Sequence, residues 1–270
     1  MFAAASAATG YFIAPHHQII GVFPVVGAVF LLACGASALN QYQEQDLDAR
    51  MERTRARPLP SGSIAASHAL ALSCALVLAG TALLAYAYGT KAPLLGLFAL
   101  IWYNGIYTHL KKKTAFAAVP GAAVGMIPPA IGWVSAGGAL LDPRLAAICF
   151  LFFLWQVPHF WLLLLDHGEE YEQAGLRSLT GVMSRPQIAR VTFVWIVAAA
   201  IAGLSLPFYG ILRSPGFYFL LVPCAGWLIW SGCVLMGKGP EISVSPALFK
   251  KMNIYLLLIM SLLSLENILL

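Results

Sequence analysis

One short charged stretch, NQYQEQDLDARMERTRARPLPSG (Asn40–Gly62), holds the residues best suited to chemistry. Four carboxylates and four arginines lie between Glu44 and Arg57, soon after the uncharged run GVFPVVGAVFLLACGASAL. Asn40, Glu44 and Asp48 recur every four residues, so a helix that continues to Asp48 would carry all three on one face, about 6 Å apart along its axis. This spacing predicts a set of oxygen ligands at one end of a hydrophobic helix.

Such a set of ligands suits a hard cation. Mg²⁺ in proteins takes one or two carboxylates and shares its other positions with water and substrate phosphates. Arg53 and Arg57 follow at the same spacing of four, and guanidinium groups match phosphate oxygens in geometry. The stretch therefore indicates a Mg²⁺–diphosphate site. The alternative, a solvated loop with internal ion pairs, explains the arginines but not why the acids and the amide begin inside the helix end.

The composition identifies the protein class that must position these residues. Of 270 residues, 60% are hydrophobic and 10% are charged, whereas soluble domains are about 25% charged. We find no linker or repeat, and we predict a single integral-membrane domain over residues 1–270. We expect an all-α polytopic bundle of about nine transmembrane helices, the first one truncated. The apolar runs lie at 1–14, 19–39, 64–88, 92–107, 115–136, 145–165, 189–211, 217–236 and 250–270.

The basic residues predict which ends of these helices face the cytoplasm. Of the sixteen Lys and Arg residues, only Lys91, Arg144 and Arg213 lie outside one alternating set of loops. Such a bias marks the cytoplasmic side, so the charged loops are predicted to be cytoplasmic and the C-terminus outside. Nine of the eleven acids lie on the cytoplasmic side, although Asp and Glu contribute little to orientation. The net charge of +5 therefore reflects topology, and we expect no nucleic-acid partner.

Four further motifs follow the first stretch in order. They are YTHLKKKT (Tyr107–Thr114), GAAVGMIPPAIGW (Gly121–Trp133), FLWQVPHFW (Phe153–Trp161) and EEYEQAG (Glu169–Gly175). Together with the first stretch, they resemble the UbiA superfamily of intramembrane prenyltransferases, and within it the protoheme IX farnesyltransferases, or heme O synthases. The resemblance implies a UbiA-type helical bundle. Among the departures from the family pattern, Glu44 and Glu170 stand where the family usually has aspartate.

The resemblance also implies which residues bind the metal and the diphosphate. Mg²⁺ would bridge the diphosphate and two acidic motifs, and its candidate ligands are Asn40, Glu44, Asp48, Glu169 and Glu170. Basic side chains would neutralise the charge that develops on the leaving diphosphate, and these are Arg53, Arg57, Lys111 and Lys112.

Aromatic and polar side chains complete the implied site. Tyr107 and Tyr171 are candidate catalytic residues that stabilise an allylic cation or hydrogen-bond the diphosphate; the alternative is that they anchor the protein at the membrane interface. Trp155, Gln156 and His159 are candidate substrate-binding residues. His159 lies within an apolar span, where an ionisable residue suggests function, and it would contact heme. The alternative is a hydrogen-bonded histidine of the bundle.

The activity implied by the resemblance is Mg²⁺-dependent transfer of a farnesyl group from farnesyl diphosphate to the vinyl group of heme B, giving heme O for terminal oxidases. The implied location is the bacterial cytoplasmic (inner) membrane, with the lipid bilayer around the chain. A heme A synthase or an oxidase assembly factor would be its protein partner.

Three alternatives remain open at this point. A prenyltransferase of the same fold could use another acceptor, such as an aromatic quinone precursor, and the glutamates at positions 44 and 170 leave room for it. The same glutamates could mark a catalytically impaired homologue that binds heme. A transporter would instead place its charges near the bilayer midplane, whereas the carboxylates here cluster at one face.

Overall fold

The structure is a computed structural model that describes residues 1–237 and 246–269, apart from the side chains of His167 and Glu169. Within these residues it is helical throughout, and its nine main helices correspond to the nine predicted apolar runs. They are α1 (Phe2–Ile13), α2 (Val22–Asp48), α3 (Ala66–Tyr88), α4 (Lys91–Leu100), α5 (Ala118–Ser135), α6 (Pro143–Gln173), α7 (Arg185–Ser205), α8 (Pro215–Gly232) and α9 (Pro246–Leu269).

The lengths and hydropathy of the helices agree with a polytopic membrane protein. Seven helical segments within the described residues are long and apolar enough to cross a membrane. Helix α1 has 12 residues and extends about 18 Å, which is shorter than the roughly 30 Å hydrocarbon core of a bilayer. The expectation of an all-α polytopic bundle of about nine helices is confirmed.

The helical segment that begins with α4 extends beyond its apolar run. Helix α4 passes without a break into a π-helical segment, Ile101–Tyr107, and then into a final α turn, Thr108–Leu110. Helix α5 contains a 3₁₀ turn, Ala123–Met126, directly before Pro128, as expected where prolines interrupt a span.

The helices pack in chain order, and α1 closes the bundle by contacting α2, α5 and α9. Two glycines permit the close crossing of α1 and α5. A Cβ added at Gly10 would lie 2.0 Å from the carbonyl oxygen of Pro129, and one added at Gly132 would lie 1.8 Å from that of Ala7. Gly10 on α1 and Gly132 on α5 therefore let the short first helix pack closely in the bundle.

Helix α6 corrects one detail of the predicted topology. The apolar run ends near residue 165, and the second acidic motif was expected in the following loop. The helix instead continues to Gln173, so Glu169 and Glu170 lie on its last turns. The helix extends beyond the apolar run because its backbone hydrogen bonds do not require apolar side chains.

Candidate active site

The three predicted ligands of the first motif lie together at the end of α2. The helix extends to Asp48, and Asn40, Glu44 and Asp48 are 9%, 6% and 2% exposed, whereas Asp46 on another face is exposed. The hydroxyl of Thr54 donates to the carbonyl oxygen of Asp48 at 2.9 Å and so turns the chain at the helix end. The predicted shared face is confirmed.

Each buried carboxylate of this face has a basic partner from another part of the chain. Lys111 Nζ lies 2.5 Å from Glu44 Oε2, and Arg57 Nη1 lies 2.8 Å from Asp48 Oδ2. Lys111 follows the last turn after α4, and Arg57 lies in the turns after α2. Charges buried this deeply require such partners. The pairs fasten the turns after α2 and the segment after α4 to the end of α2.

These residues surround one cavity of about 140 Å³. Its lining combines the first motif with basic and aromatic side chains from three other segments: Asn40, Glu44, Leu47, Asp48, Met51, Arg53, Arg57, Lys111, Tyr171 and Leu176. Arg53 Nη2 donates to the hydroxyl of Tyr171 at 3.5 Å, which links the first motif to the end of α6. The structure thus brings together seven of the candidate residues: Asn40, Glu44, Asp48, Arg53, Arg57, Lys111 and Tyr171.

The donor set of this cavity fits a Mg²⁺ ion. Glu44 Oε1 is buried without a hydrogen-bond partner, and such an oxygen gains from a cation. No three His, Cys, Asp or Glu side chains among the described residues are close enough to hold a metal alone. Mg²⁺ commonly completes its octahedron with water and phosphate oxygens, so Asn40, Glu44 and Asp48 would supply part of the shell and a diphosphate the rest.

The second acidic motif contributes less to the cavity than expected. Glu170 Oε2 is also buried without a partner, but Glu170 does not line the cavity. The side chain of Glu169 lies outside the described residues. Metal binding by Glu169 and Glu170 therefore stays a prediction.

Tyr107 belongs to an aromatic stack beside the cavity. Its ring stacks on those of Tyr103 and Phe160, with distances between ring centroids of 5.9 Å and 5.7 Å. Lys111 Nζ lies 5.7 Å from the centroid of the Tyr107 ring. Gly121 leaves room for the ring, since a Cβ there would lie 2.4 Å from it. Tyr107 and Phe160 line a second cavity, of about 100 Å³, which shares Lys111, Tyr171 and Leu176 with the first.

An apolar cavity of about 200 Å³ lies between α1, α2, α4 and α5. Val29, Leu32, Leu100 and Ile131 line it, and Tyr103 lies at its boundary. Its lining on α2 ends at Ser37, one helical turn before Asn40. A hydrocarbon chain attached to a diphosphate at the first motif would therefore find an apolar space next to it.

The remaining candidate residues lie away from the first cavity. Trp155 is buried, and its indole N–H donates to the carbonyl of Met252 at 3.0 Å. His159 Nδ1 lies 3.1 Å from Asn253 Oδ1, and its ring packs 4.6 Å from that of Trp155. Gln156 faces Gly125. The Lys112 side chain is exposed and does not line the cavity. Binding of substrate by these four residues stays a prediction.

The sequence patterns did not indicate a polar network behind the first motif. Asn104 and Thr108 are buried in and just after the π-helical segment. Asn104 Nδ2 donates to the Ala36 carbonyl at 3.0 Å and to Gln43 Oε1 at 3.1 Å, and Thr108 Oγ1 accepts from Asn40 Nδ2 at 3.1 Å. The sequence feature that could have indicated this network is the pair Asn104 and Thr108, two polar residues four positions apart in the apolar segment IWYNGIYT.

Known proteins resemble this chain in sequence over most of its length. The model of the UbiA prenyltransferase family matches residues 2–254. A protoheme IX farnesyltransferase of Geobacter sulfurreducens is 43% identical over 77% of this chain and 76% of its own length. The protein of the same name from Synechococcus sp. (strain JA-3-3Ab) is 35% identical over 88% of this chain and 72% of its own length.

Solved structures share the fold. A UbiA homologue from Aeropyrum pernix K1, in its apo form, matches with a TM-score of 0.75 at 18% identity, over 95% of this chain and 96% of its own. A UbiA homologue from Archaeoglobus fulgidus, bound to DMAPP and Mg²⁺, matches with a TM-score of 0.69 at 14% identity, over 100% of this chain and 95% of its own. The chain therefore belongs to the UbiA prenyltransferase family, and among its relatives in that family are protoheme IX farnesyltransferases.

Proposed function

We propose that this chain transfers the farnesyl group of farnesyl diphosphate to a vinyl group of heme B, with Mg²⁺ as cofactor, giving heme O. The observation that carries the proposal is the cavity in which Glu44 and Asp48 face Lys111 and Arg57. Acids for a metal and bases for phosphate meet there beside an apolar space. Relatives named protoheme IX farnesyltransferase support the choice of donor and acceptor.

The diphosphate end of the donor would be held by the charged cavity. Asn40, Glu44 and Asp48 would hold Mg²⁺, which lowers the energy of charge developing on the leaving oxygens. Arg57 and Lys111 now pair with carboxylates, and they would turn toward the diphosphate as the carboxylates engage the cation. Arg53, already on the cavity wall, adds a third positive charge for the leaving group.

The farnesyl end would enter the apolar cavity between α2, α4 and α5. When the bond between C1 and the bridging oxygen breaks, the electron pair leaves with the diphosphate and an allylic cation remains. Apolar walls keep water away from this cation. Tyr103 lines the apolar cavity, and its ring stacks on Tyr107, which lines the second cavity. The π electrons of these rings would favour a cation beside them.

The acceptor completes the reaction. The π electrons of the vinyl group form the new carbon–carbon bond with farnesyl C1, and the resulting porphyrin-stabilised cation takes up water and loses a proton. The product is a hydroxyethylfarnesyl group. His159, supported by Asn253, and the neighbouring Trp155 and Gln156 would contact the heme.

We further propose that the charged cavity faces the cytoplasm of a bacterial cell, with the protein in the cytoplasmic membrane and its C-terminus outside. The charge bias of the loops supports this orientation. A heme A synthase or an oxidase assembly factor would receive the product, because heme O is too apolar to leave the membrane readily.

A direct assay tests the proposal. Protein purified in nanodiscs is supplied with heme B, farnesyl diphosphate and Mg²⁺, and mass spectrometry detects hydroxyethylfarnesyl heme. We expect product that disappears with EDTA. Folded protein that binds heme and gives no product would refute heme farnesylation. Aromatic quinone precursors tested in the same assay would then decide between another acceptor and an impaired homologue.

A further inference from the structure

The π-helical segment Ile101–Tyr107 lies directly behind the first acidic motif, and the function proposed above does not use its polar network. We propose that Thr108 is a positioning residue: it orients the side-chain amide of Asn40 so that Oδ1 faces the Mg²⁺–diphosphate site. The inference rests on the donor half of the proposed function, namely Mg²⁺ and a prenyl diphosphate in the first cavity. It does not depend on the acceptor.

The hydrogen bonds of Thr108 determine which way round the Asn40 amide lies. The Thr108 hydroxyl donates to the carbonyl oxygen of Tyr103 at 3.0 Å, so its only hydrogen is committed. Its oxygen can then only accept. Asn40 Nδ2 donates to it at 3.1 Å. An inverted amide would need the Thr108 hydroxyl to turn its hydrogen to Oδ1 and to give up its bond to the Tyr103 carbonyl, so the orientation with Nδ2 toward Thr108 is favoured.

This orientation determines which atom of the Asn40 amide is available to the cavity. Thr108 accepts from Nδ2, so the carbonyl oxygen Oδ1 remains for the cavity, which Asn40 lines together with Glu44 and Asp48. An oxygen there is a Mg²⁺ ligand, whereas an NH₂ group would repel the cation. Thr108 thus acts through Asn40, and it does not itself line the cavity.

The π turn places Thr108 where this is possible. The backbone N–H of Thr108 donates to the carbonyl of Tyr103, five residues earlier, instead of the i−4 carbonyl of an α-helix. The extra residue in the turn sets Asn104 and Thr108 against α2. Gln43 Nε2 donates to the Asn104 carbonyl at 3.1 Å, and Asn104 Nδ2 returns a bond to Gln43 Oε1 at 3.1 Å. This exchange fixes the register of α4 against the first motif.

Binding of an unreactive donor tests the inference without turnover. Farnesyl S-thiolodiphosphate is titrated onto the purified protein at saturating Mg²⁺ by calorimetry. Thr108→Val keeps the shape and removes the hydroxyl, and loss of one such hydrogen bond should weaken binding by roughly tenfold. Thr108→Ser restores the hydroxyl and should bind within about twofold of the wild type.

A double-mutant cycle with Asn40→Ala separates positioning from packing. Alanine has no amide for Thr108 to orient, so adding Thr108→Val to Asn40→Ala should cause no further loss. A Thr108→Val protein that binds the analogue like the wild type would overturn the inference. So would a Ser variant as weak as the Val variant, or equal losses in both backgrounds.

The outcomes also separate this inference from the proposed reaction. Analogue binding that follows the expected series, with no heme product in the transfer assay, would support the positioning role and refute the heme acceptor. A wild-type protein that does not bind the analogue with Mg²⁺ would refute both the positioning role and the proposed donor.

Discussion

Buried or half-buried carboxylates occur at both ends of the bundle, and they have different partners. At the end that bears the first motif, Glu44 and Asp48 pair with side chains, Lys111 and Arg57, around a cavity. At the opposite end, Glu266 is 2% exposed. Its Oε1 accepts from the backbone N–H groups that precede α8, and it lines none of the cavities described above.

Asp142 also accepts a backbone hydrogen bond, as Glu266 does, but it pairs with a basic side chain as well. It caps the N-terminus of α6, where its Oδ1 accepts from the backbone N–H of Arg144 at 2.9 Å. The Arg144 guanidinium binds the same carboxylate and lies 5.1 Å from the Trp133 ring centroid. Acids of this kind fasten helix ends, because helix N-termini leave unpaired N–H groups.

The comparison shows that burial does not by itself identify a site. Glu44 Oε1 and Glu266 Oε2 are both buried without a hydrogen-bond partner. Glu44 differs in two ways: its partner is a lysine side chain, and it lines a cavity. A lysine side chain can rotate toward a substrate, whereas the backbone N–H groups that bind Glu266 cannot. Activity should therefore depend on the first pair of acids and stability on the second.

The largest effect is expected for Glu44→Gln, which removes the charge but keeps the size of the side chain. Loss of a metal ligand should lower the transfer rate by at least about a hundredfold. Glu44→Asp, which restores the usual residue of the family, should retain most of the rate. Single-turnover assays with farnesyl diphosphate measure both variants. A Gln variant as active as the wild type would remove Glu44 from the metal site.

Arg57→Met should have the next largest effect. It leaves Asp48 buried without its partner and removes a guanidinium group that would bind the diphosphate. The KM for farnesyl diphosphate should therefore rise about ten- to a hundredfold. Arg55→Met is the matched control, because Arg55 forms only an exposed pair with Glu52 at 3.5 Å. Such pairs contribute little. Equal effects in the two variants would show that general charge, and not the pairing with Asp48, matters.

Glu266→Leu should leave the rate nearly unchanged and reduce stability. The variant leaves the N–H groups of Arg213 and Ser214, each 2.6 Å from Oε1 in the wild type, without an acceptor. The expected cost is about 1–3 kcal/mol, seen as a lower unfolding temperature in detergent. Glu266→Gln keeps one acceptor oxygen and should lose less. A variant that lost activity while keeping its unfolding temperature would break the distinction between the two ends.

Much of this architecture could be predicted from the sequence. The apolar runs determine the helices, since a bilayer leaves few alternatives for a backbone. The spacing of Asn40, Glu44 and Asp48 placed the three on one face, because a helix has a fixed repeat. Both predictions depend on local regularities, and both are confirmed by the structure.

The pairings across the bundle could not be predicted in the same way. Lys111 was expected to face a diphosphate and is found 2.5 Å from Glu44, 67 positions away along the chain. Such contacts depend on how α2 and α4 cross, which hydropathy does not encode. The π-helical turn in IWYNGIYT could not be predicted either, because one extra residue per turn does not change the hydropathy of the segment. The role of Thr108 likewise depends on its bond to Asn40, a contact between helices that hydropathy does not encode.

The smallest effect is expected at Asp142 and concerns acid stability. Its side-chain hydrogen bonds with Arg144 hold the pKa of Asp142 below its ordinary value, which is about 3.9. A lowered pKa means that the folded state gains stability above about pH 4 and loses it as the pH falls through the lowered value. Asp142→Asn keeps a good helix cap but removes the charge. The unfolding temperature of the wild type should therefore exceed that of the variant slightly at pH 6, and the difference should shrink below about pH 4 and vanish as the pH falls through the lowered pKa. A difference that stays constant with pH would show that Asp142 acts through shape and not through its charge, and the contrast between the two ends would then rest on Glu266.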